Sequence, residues 1–335
     1  MLSYACGHCG HLVFFENSLC LNCSTELGFV PEELDLVALE GDAATGRYRC
    51  ANAKLAKCNW MVSAPGRLCR SCELTRTRPA DGDDAGLAAF AAAEAAKRRV
   101  VMQLLDLGLP GVTPDRLRFD LLSSRDEPVA TGHADGVITI DLAESDDASR
   151  EARRAELGEP YRTLLGHLRH ELAHYFQPLL LDDQAWERCR ALFGNERADY
   201  GAALDRHYAQ GAPADWPQQY VSAYATMHPW EDWAETFAHY LHIRDTLQTA
   251  AEYGVTVRGP RAVTLDRSLK ATPQPEAGDR GFAEVLDNWL PLTYALNAVN
   301  RSMGRDDLYP FTLATAVIDK LQFVHERVQE SAGVT

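Results

Sequence analysis

Eight of the nine cysteines in this chain lie before residue 73, and six of these eight form three C-x-x-C pairs. Two thiols at this spacing can bind one tetrahedral metal ion from a single turn of the backbone. Because a segment this short buries little apolar surface, a bound metal would supply much of its folding free energy. In a reducing compartment such a cluster is more typical of metal binding than of disulfides. The cysteine pattern therefore predicts a metal-stabilised N-terminal region.

The cysteines separate into two sets. In the first set two C-x-x-C pairs lie ten residues apart, and Phe14 and Phe15 between them suit the hairpin of a zinc ribbon. The second set is less regular and predicts a second site of the same kind. Because four thiolates leave no open coordination position, we expect two structural Zn2+ ions. The first set is Cys6, Cys9, Cys20 and Cys23, with His8 and His11 as neighbouring alternatives, and the second is Cys50, Cys58, Cys69 and Cys72.

Charge and hydropathy limit the partners of the chain. The net charge is -15, and residues 1–78 contain eight Lys and Arg against eight Asp and Glu. Since binding to phosphates needs a basic surface, nucleic acid is a disfavoured partner, whereas the cysteine-rich region could still contact a protein. The apolar runs are shorter than the roughly 18–20 residues that span a bilayer, so no membrane association is expected. The first residues lack the basic start of a signal peptide, and we expect a cytoplasmic protein.

The order of the elements indicates the fold class. Residues 1–78 are predicted to form the zinc-ribbon region, 79–110 a linker and a helix, and 111–335 a larger domain. The stretches "LRFDLL" and "GVITIDL" predict strands, and the chain from Pro160 onward is mainly helical. A small strand region followed by helices indicates an α+β fold. The predicted helices cover residues 160–177, 184–210 with a break, 217–226, 229–252, 281–302 and 308–330.

The stretch "GHLRHELAHYFQP" contains an H-E-x-x-H motif formed by His170, Glu171 and His174. Residues four apart are neighbours on one face of a helix, so both imidazoles can bind one Zn2+ ion. Glu171 then lies beside the open side of the metal, where it can serve as a general base. The motif alone predicts a zinc-dependent peptidase.

A catalytic zinc site needs a third protein ligand. Gln177 and Leu180 stand where the metzincin pattern would require glycine and histidine, so that pattern is excluded. The helix predicted for "HPWEDWAETFAHY" offers carboxylates instead. Helical phase puts Glu231 and Glu235 together at the edge of a packing face that includes Trp230, and it puts Asp232 on the side expected to meet solvent. One of the two Glu residues would bind zinc, and the other would hold a zinc-bound histidine.

These motifs together resemble the gluzincin metallopeptidases, in which H-E-x-x-H is followed by a helix with E-x-x-x-D/E. The resemblance implies that Glu231 is the third zinc ligand and that Glu235 stands behind it. Within these peptidases, the segment that contains Glu231 resembles the anthrax lethal factor type. That resemblance implies that Tyr224, seven residues before Glu231, stabilises the oxyanion. Most of the chain also resembles a bacterial family of zinc-binding metallopeptidases with an N-terminal zinc ribbon and no known substrate. The larger domain would then be a mainly helical zincin-like peptidase with a small sheet.

We therefore expect a zinc metallopeptidase with one catalytic and two structural zinc ions and a peptide or protein substrate. Glu171 would activate the attacking water, and "GVITIDL" would be an edge strand along which the substrate pairs. Two alternatives remain open from the sequence. The chain could be a nucleic-acid-associated protease that uses its zinc ribbons to recognise DNA or RNA, or it could be a non-enzymatic zinc-ribbon adapter.

Overall fold

The chain divides into two units, Met1–Leu168 and Arg169–Thr335, each with its own core. The computed structural model describes residues 2–39, 46–125, 127–145, 163–259, 270–274 and 281–333. Short strands are concentrated in the first unit and helices in the second, so the α+β prediction is confirmed. The expected domain limits at residues 78 and 110 stay predictions. None of the helices in the described ranges is both long and apolar enough to cross a membrane.

Three antiparallel two-stranded hairpins build the cysteine-rich part of the first unit. Their cores meet at an aromatic cluster in which the ring centroid of Phe29 lies 4.8 Å from that of Phe15 and 5.3 Å from that of Trp60. These few aromatic side chains are almost fully buried. The strands are β1 (Tyr4–Ala5), β2 (Leu12–Val13), β3 (Leu27–Val30), β4 (Asp35–Ala38), β5 (Tyr48–Arg49) and β6 (Met61–Val62).

A four-stranded sheet follows in the order β7, β8, β10, β9. Its strands are β7 (Thr75–Thr77), β8 (Arg118–Leu122), β9 (Gly132–Ala134) and β10 (Val137–Asp141), and helix α1 (Asp84–Asp106) lies between β7 and β8 in the chain. The predicted strands in "LRFDLL" and "GVITIDL" are both present. The expectation that "GVITIDL" is an edge strand is wrong, because β10 pairs with β8 on one side and with β9 on the other. The turn at Asp135 and Gly136, both with positive φ, folds β9 back onto β10, and the Asp-Gly dipeptide is a typical sequence signal for such a hairpin.

The described part of the second unit is mainly helical. Helix α2 (Leu164–Leu180) begins in the first unit, and residues 160–162 of the helix predicted there lie outside the described ranges. The predicted break in 184–210 is real, since Gly194 ends the first of two helices with a φ of 99°. The helix predicted at 217–226 is wrong, because only two 3-10 turns form nearby, Trp216–Gln218 and Tyr224–Thr226. The remaining helices are α3 (Asp183–Phe193), α4 (Tyr200–Gln210), α5 (Pro229–Glu252), α6 (Phe282–Ser302) and α7 (Thr315–Ala332), with a small hairpin of β11 (Val257–Arg258) and β12 (Lys270–Ala271).

Helix α5 is the central element of the second unit, and its predicted span of 229–252 is confirmed. Trp233 and Phe237 are fully buried, as the helical phase predicted. Phe237 stacks on Phe176 of α2 with a centroid distance of 5.9 Å, and Trp233 packs edge-on against Phe323 of α7. The indole nitrogen of Trp233 also donates to the carbonyl oxygen of Ala173 at 2.9 Å. These contacts hold α2 against α5. They bring the histidines of the H-E-x-x-H motif close to Glu231 and Glu235.

Candidate metal centre

The two cysteine sets form two separate groups of four thiols in the first unit. Within each group all four sulfur atoms lie within 4.8 Å of one another. Sulfur pairs in both groups are 3.7 Å apart, for example Cys6 with Cys23 and Cys58 with Cys69. A tetrahedral site with zinc–sulfur bonds of about 2.3 Å requires a sulfur separation of about 3.8 Å. Both groups therefore have the size that a tetrathiolate zinc site needs.

Helix α2 carries the histidines of the H-E-x-x-H motif on one face. The imidazole rings of His170 and His174 lie edge to face with their centroids 5.0 Å apart. Both side chains are largely buried, and Glu171 between them is partly exposed. The hydroxyl of Thr163 accepts a hydrogen bond from the amide of Gly166 at 3.0 Å and so caps the start of this helix. The i, i+4 spacing thus produces the arrangement expected from the sequence.

The start of helix α5 positions the carboxylates. His228 is its N-cap, and the Nδ1 atom of that ring accepts a hydrogen bond from the amide of Trp230 at 3.1 Å. Pro229 occupies the first helical position, where a missing N–H has no cost. Glu231 and Asp232 follow in the first turn, where the helix dipole favours negative charge. Glu231 is therefore held rigidly at a helix end.

Glu231 meets both histidines. Its Oε2 atom lies 2.9 Å from Nε2 of His170 and 3.5 Å from Nε2 of His174, and the three ligand atoms all lie within 4.8 Å of one another. Zinc bonds to nitrogen and oxygen are about 2.0–2.2 Å, so tetrahedral neighbours are about 3.3–3.5 Å apart. Two imidazole nitrogens and one carboxylate oxygen form the donor set of an open, catalytic type of zinc site. The residues therefore fit a zinc ion in both chemistry and spacing.

Glu235 accepts a hydrogen bond from Nδ1 of His170, the ring nitrogen that faces away from Glu231 and His174. Its Oε1 atom lies 2.7 Å from Nδ1 of His170, and its Oε2 atom accepts a hydrogen bond from the hydroxyl of Ser222 at 2.6 Å. A carboxylate can only accept, so Nδ1 carries a proton toward Glu235, and Nε2, which faces Glu231, is the nitrogen that would bind a metal. Ser222 also accepts from the amide of Ala225 at 3.1 Å. Glu235 is thereby connected to the turn that carries Tyr224, whose ring centroid lies 6.0 Å from that of His170.

The charges of this cluster depend on one another. Burial would raise the pKa of Glu231, but hydrogen bonds from the two histidines outweigh it and hold the pKa below its usual range. Burial acts in the same way on Glu235, and the contact with His170 lowers the pKa of this carboxyl to about 2. Burial would lower the pKa of His170, yet the two carboxylates raise it well above its ordinary value. Two carboxylates and two imidazoles therefore meet in one cluster, and the charge of each group depends on its neighbours.

The prediction that Asp232 faces solvent is wrong. Its side chain is fully buried, and its Oδ2 atom accepts a hydrogen bond from Nζ of Lys320 at 2.6 Å. Lys320 lies on α7 and also donates to the carbonyl oxygen of Gln219 at 2.7 Å. Burial raises the pKa of Asp232 to about 7, and the charge of Lys320 opposes this shift. Helical phase could not reveal that α7 covers this side of α5. Asp232 lies outside the metal cluster, as the choice of Glu231 requires.

Trp230 departs from the sequence expectation as well. Helical phase predicts that Trp230 belongs to the packing face, but this side chain is 38% exposed, and its ring lies edge-on to that of His174 at a centroid distance of 5.1 Å. It forms part of the wall of the candidate site instead of the core. The ninth cysteine, Cys189, lies apart from both sets of thiols; it is buried, and burial raises its pKa to about 12.

Three residues at the site were missed by sequence reasoning. The hydroxyl of Tyr200 donates to Oε1 of Glu231 at 3.0 Å. Ser222 supports Glu235, and Nε2 of His228 donates to the carbonyl oxygen of Ala198 at 3.1 Å. A histidine directly before a proline at a helix start could have indicated the cap at 228. No pattern in the sequence points to Tyr200, because it lies 31 positions before Glu231.

Comparisons with known proteins agree with this geometry. Residues 86–327 match a family described as "Putative zinc-binding metallo-peptidase", and residues 3–83 match a zinc-ribbon domain. The chain is 50% identical over 341 residues to an uncharacterized protein of Mycobacterium tuberculosis (strain H37Rv), with 99% of this chain and 96% of the relative covered. An uncharacterized protein of Mycobacterium bovis is similar to the same extent. No solved structure matches. The chain belongs to this zinc-binding metallo-peptidase family, with a zinc-ribbon domain preceding the peptidase region.

Proposed function

We propose that this protein is a zinc-dependent peptidase whose catalytic ion is held by His170, His174 and Glu231. The observation that carries the proposal is the convergence of these three ligand atoms, with Glu235 on the far nitrogen of His170. The two sets of four cysteines would each hold a structural zinc ion, and four thiolate ligands leave that ion no open coordination position for a substrate. Membership of the zinc-binding metallo-peptidase family supports the same conclusion.

Zinc bound by these ligands would supply Lewis-acid activation of water and of a peptide carbonyl. Glu171, next to His170 on α2 and partly exposed, would accept a proton from the attacking water and deliver it to the departing amine nitrogen. Tyr224 would donate a hydrogen bond to the carbonyl oxygen as negative charge develops there. Burial raises the pKa of Tyr224, which keeps its phenol protonated and able to donate. Glu235 and Ser222 would keep His170 and the Tyr224 turn in position.

The test compares wild type with Glu171→Gln in the full chain. New protein N-termini would be identified proteome-wide by mass spectrometry after expression of each form in cells that lack the endogenous protein. Glu187→Gln on helix α3 is the matched control, because Glu187 is an exposed glutamate outside the cluster. We expect zinc content to be equal in all three forms and new N-termini to appear with wild type and Glu187→Gln only. The same N-termini with Glu171→Gln would show that Glu171 is not the base, and their absence with every zinc-loaded form would count against a peptidase.

A further inference from the structure

Tyr200 contacts the candidate metal ligand from the side opposite the histidines. Its hydroxyl donates to Oε1 of Glu231 at 3.0 Å, whereas Oε2 of the same carboxylate faces the two imidazole nitrogens at 2.9 and 3.5 Å. The two oxygens of one buried carboxylate therefore have different partners. We propose that Tyr200 is a positioning residue that keeps Oε1 of Glu231 away from the metal, so that this ligand offers one oxygen only. The inference rests on the metal site of the proposed function.

The division between the two oxygens has a chemical consequence. A carboxylate can bind a metal through one oxygen or through both, and the second oxygen takes up a coordination position. A catalytic zinc site needs that position for water or substrate. A hydrogen bond to Oε1 lowers its availability as a ligand and also fixes the rotation of the carboxylate. Tyr200 would thus preserve the open position that the two tetrathiolate sites lack.

The backbone before Tyr200 is tied to the helix that carries Glu231. Because Nδ1 of His228 accepts from the amide of Trp230, its Nε2 carries the proton and donates to the carbonyl oxygen of Ala198. The rings of His228 and Tyr200 lie 5.3 Å apart. Asp199, the N-cap of α4, accepts from the amide of Ala202 at 2.9 Å and fixes Tyr200 as the first residue of that helix. These contacts therefore fix the position of the Tyr200 side chain relative to the first turn of α5, which carries Glu231.

Tyr200 also connects the ligand to the proposed oxyanion donor. The hydroxyl of Tyr224 interacts with that of Tyr200, in addition to the bond from Tyr200 to Glu231. The electrostatic interaction between the two phenols and the hydrogen bond from Tyr200 to Glu231 therefore relate the turn of Tyr224 to the candidate metal ligand. Removal of the Tyr200 hydroxyl would therefore disturb both the carboxylate and the orientation of Tyr224.

The experiment measures the metal directly in the full chain. Tyr200→Phe is compared with wild type and with Tyr208→Phe, a matched control on the same helix whose ring is 68% exposed. Zinc affinity of the His–His–Glu site is determined by competition with a chelator after the thiolate-bound ions are quantified in His170→Ala. Co2+ is then placed at that site alone, and the visible spectrum of identically treated His170→Ala is subtracted. Because Tyr200 is partly exposed and phenylalanine lacks only the hydroxyl, we expect Tyr200→Phe to fold like wild type. The midpoint of thermal unfolding of each form checks this.

We expect Tyr200→Phe to weaken zinc binding by about 10–100-fold. Its Co2+ absorption should become weaker, because a second carboxylate oxygen raises the coordination number. Tyr208→Phe should match wild type in both respects. A Tyr200→Phe protein with the affinity and spectrum of wild type would overturn the inference, as would a chain that binds only the two thiolate-held ions.

The two proposals fail in different ways. Both metal measurements are made without substrate, so a shift in Tyr200→Phe supports the positioning role even if wild type cleaves no peptide. Cleavage by wild type together with unchanged metal properties in Tyr200→Phe would remove the positioning role and leave the peptidase proposal in place.

Discussion

Nδ1 of His170 lies 2.7 Å from Oε1 of Glu235, one helical turn beyond Glu231 on α5. This contact keeps a proton on Nδ1 and orients the ring so that Nε2 points toward the place shared with His174 and Glu231. A single helix thus provides both a candidate ligand and the support for another. The geometry leads to four predictions in addition to the tests described above.

Replacement of Glu235 by alanine should weaken zinc binding at the His–His–Glu site by about 10–100-fold, because His170 loses the acceptor that fixes its tautomer and ring orientation. The two thiolate-bound ions should be unaffected. Zinc per chain, measured by elemental analysis during dialysis against a graded chelator series, would reveal the loss. Glu187→Ala is the control, and wild-type retention of zinc in Glu235→Ala would contradict the supporting role.

Removal of the Tyr224 hydroxyl should slow cleavage without removing metal. If Tyr224 donates to the developing oxyanion, Tyr224→Phe should lower kcat by about 10²–10³-fold with little change in KM. A substrate from the N-terminus experiment would be used for steady-state kinetics, and zinc content would be measured in parallel. Tyr294→Phe, at an exposed tyrosine of α6, is the matched control. A change in KM alone would assign Tyr224 to substrate binding instead.

The Asp232–Lys320 pair should stabilise the fold and leave the metal untouched. Asp232→Ala leaves the ammonium of Lys320 buried without its carboxylate, so we expect a loss of about 3–5 kcal/mol in the free energy of unfolding. The double variant Asp232→Asn, Lys320→Met removes both charges and should recover part of that loss. Denaturant unfolding gives the energies, and zinc content gives the second readout. Selective loss of one zinc ion from folded Asp232→Ala would instead make Asp232 a ligand.

The two tetrathiolate sites should release metal at different rates. Cys9 of the first set is exposed, whereas all four cysteines of the second set are buried. A thiol-modifying reagent should therefore reach the first site sooner and displace its zinc before that of the second. Zinc release followed with a chromogenic chelator, combined with mass mapping of modified cysteines, tests this order. Modification of Cys50 or Cys72 before Cys9 would be inconsistent with it.

Local patterns were sufficient for much of this protein. The C-x-x-C pairs, the H-E-x-x-H motif and the span of α5 involve residues only a few positions apart, and short-range geometry relates them directly. The sequence expectation also favoured Glu231 and Glu235 over Asp232, and those two carboxylates lie beside His170. One error is local, because the Asp-Gly turn that pairs β9 with β10 lies within a few residues of both strands. The other errors lie where distant segments meet. Residues 217–226 form turns in which Ser222 donates to Glu235 of α5 and Gln219 accepts from Lys320 of α7.

By itself the sequence determined which side chains share a helix face and which thiols can share an ion, because helix and knuckle geometry repeat over a few residues. Only the tertiary structure decided the partners across the chain. Glu231 meets His170 across 61 positions, and the hydroxyl of Tyr200 reaches Glu231 across 31. Asp232 is buried because α7 packs over it with Lys320. Such contacts depend on how helices pack against one another, and helical phase carries no information about which neighbour covers a given face.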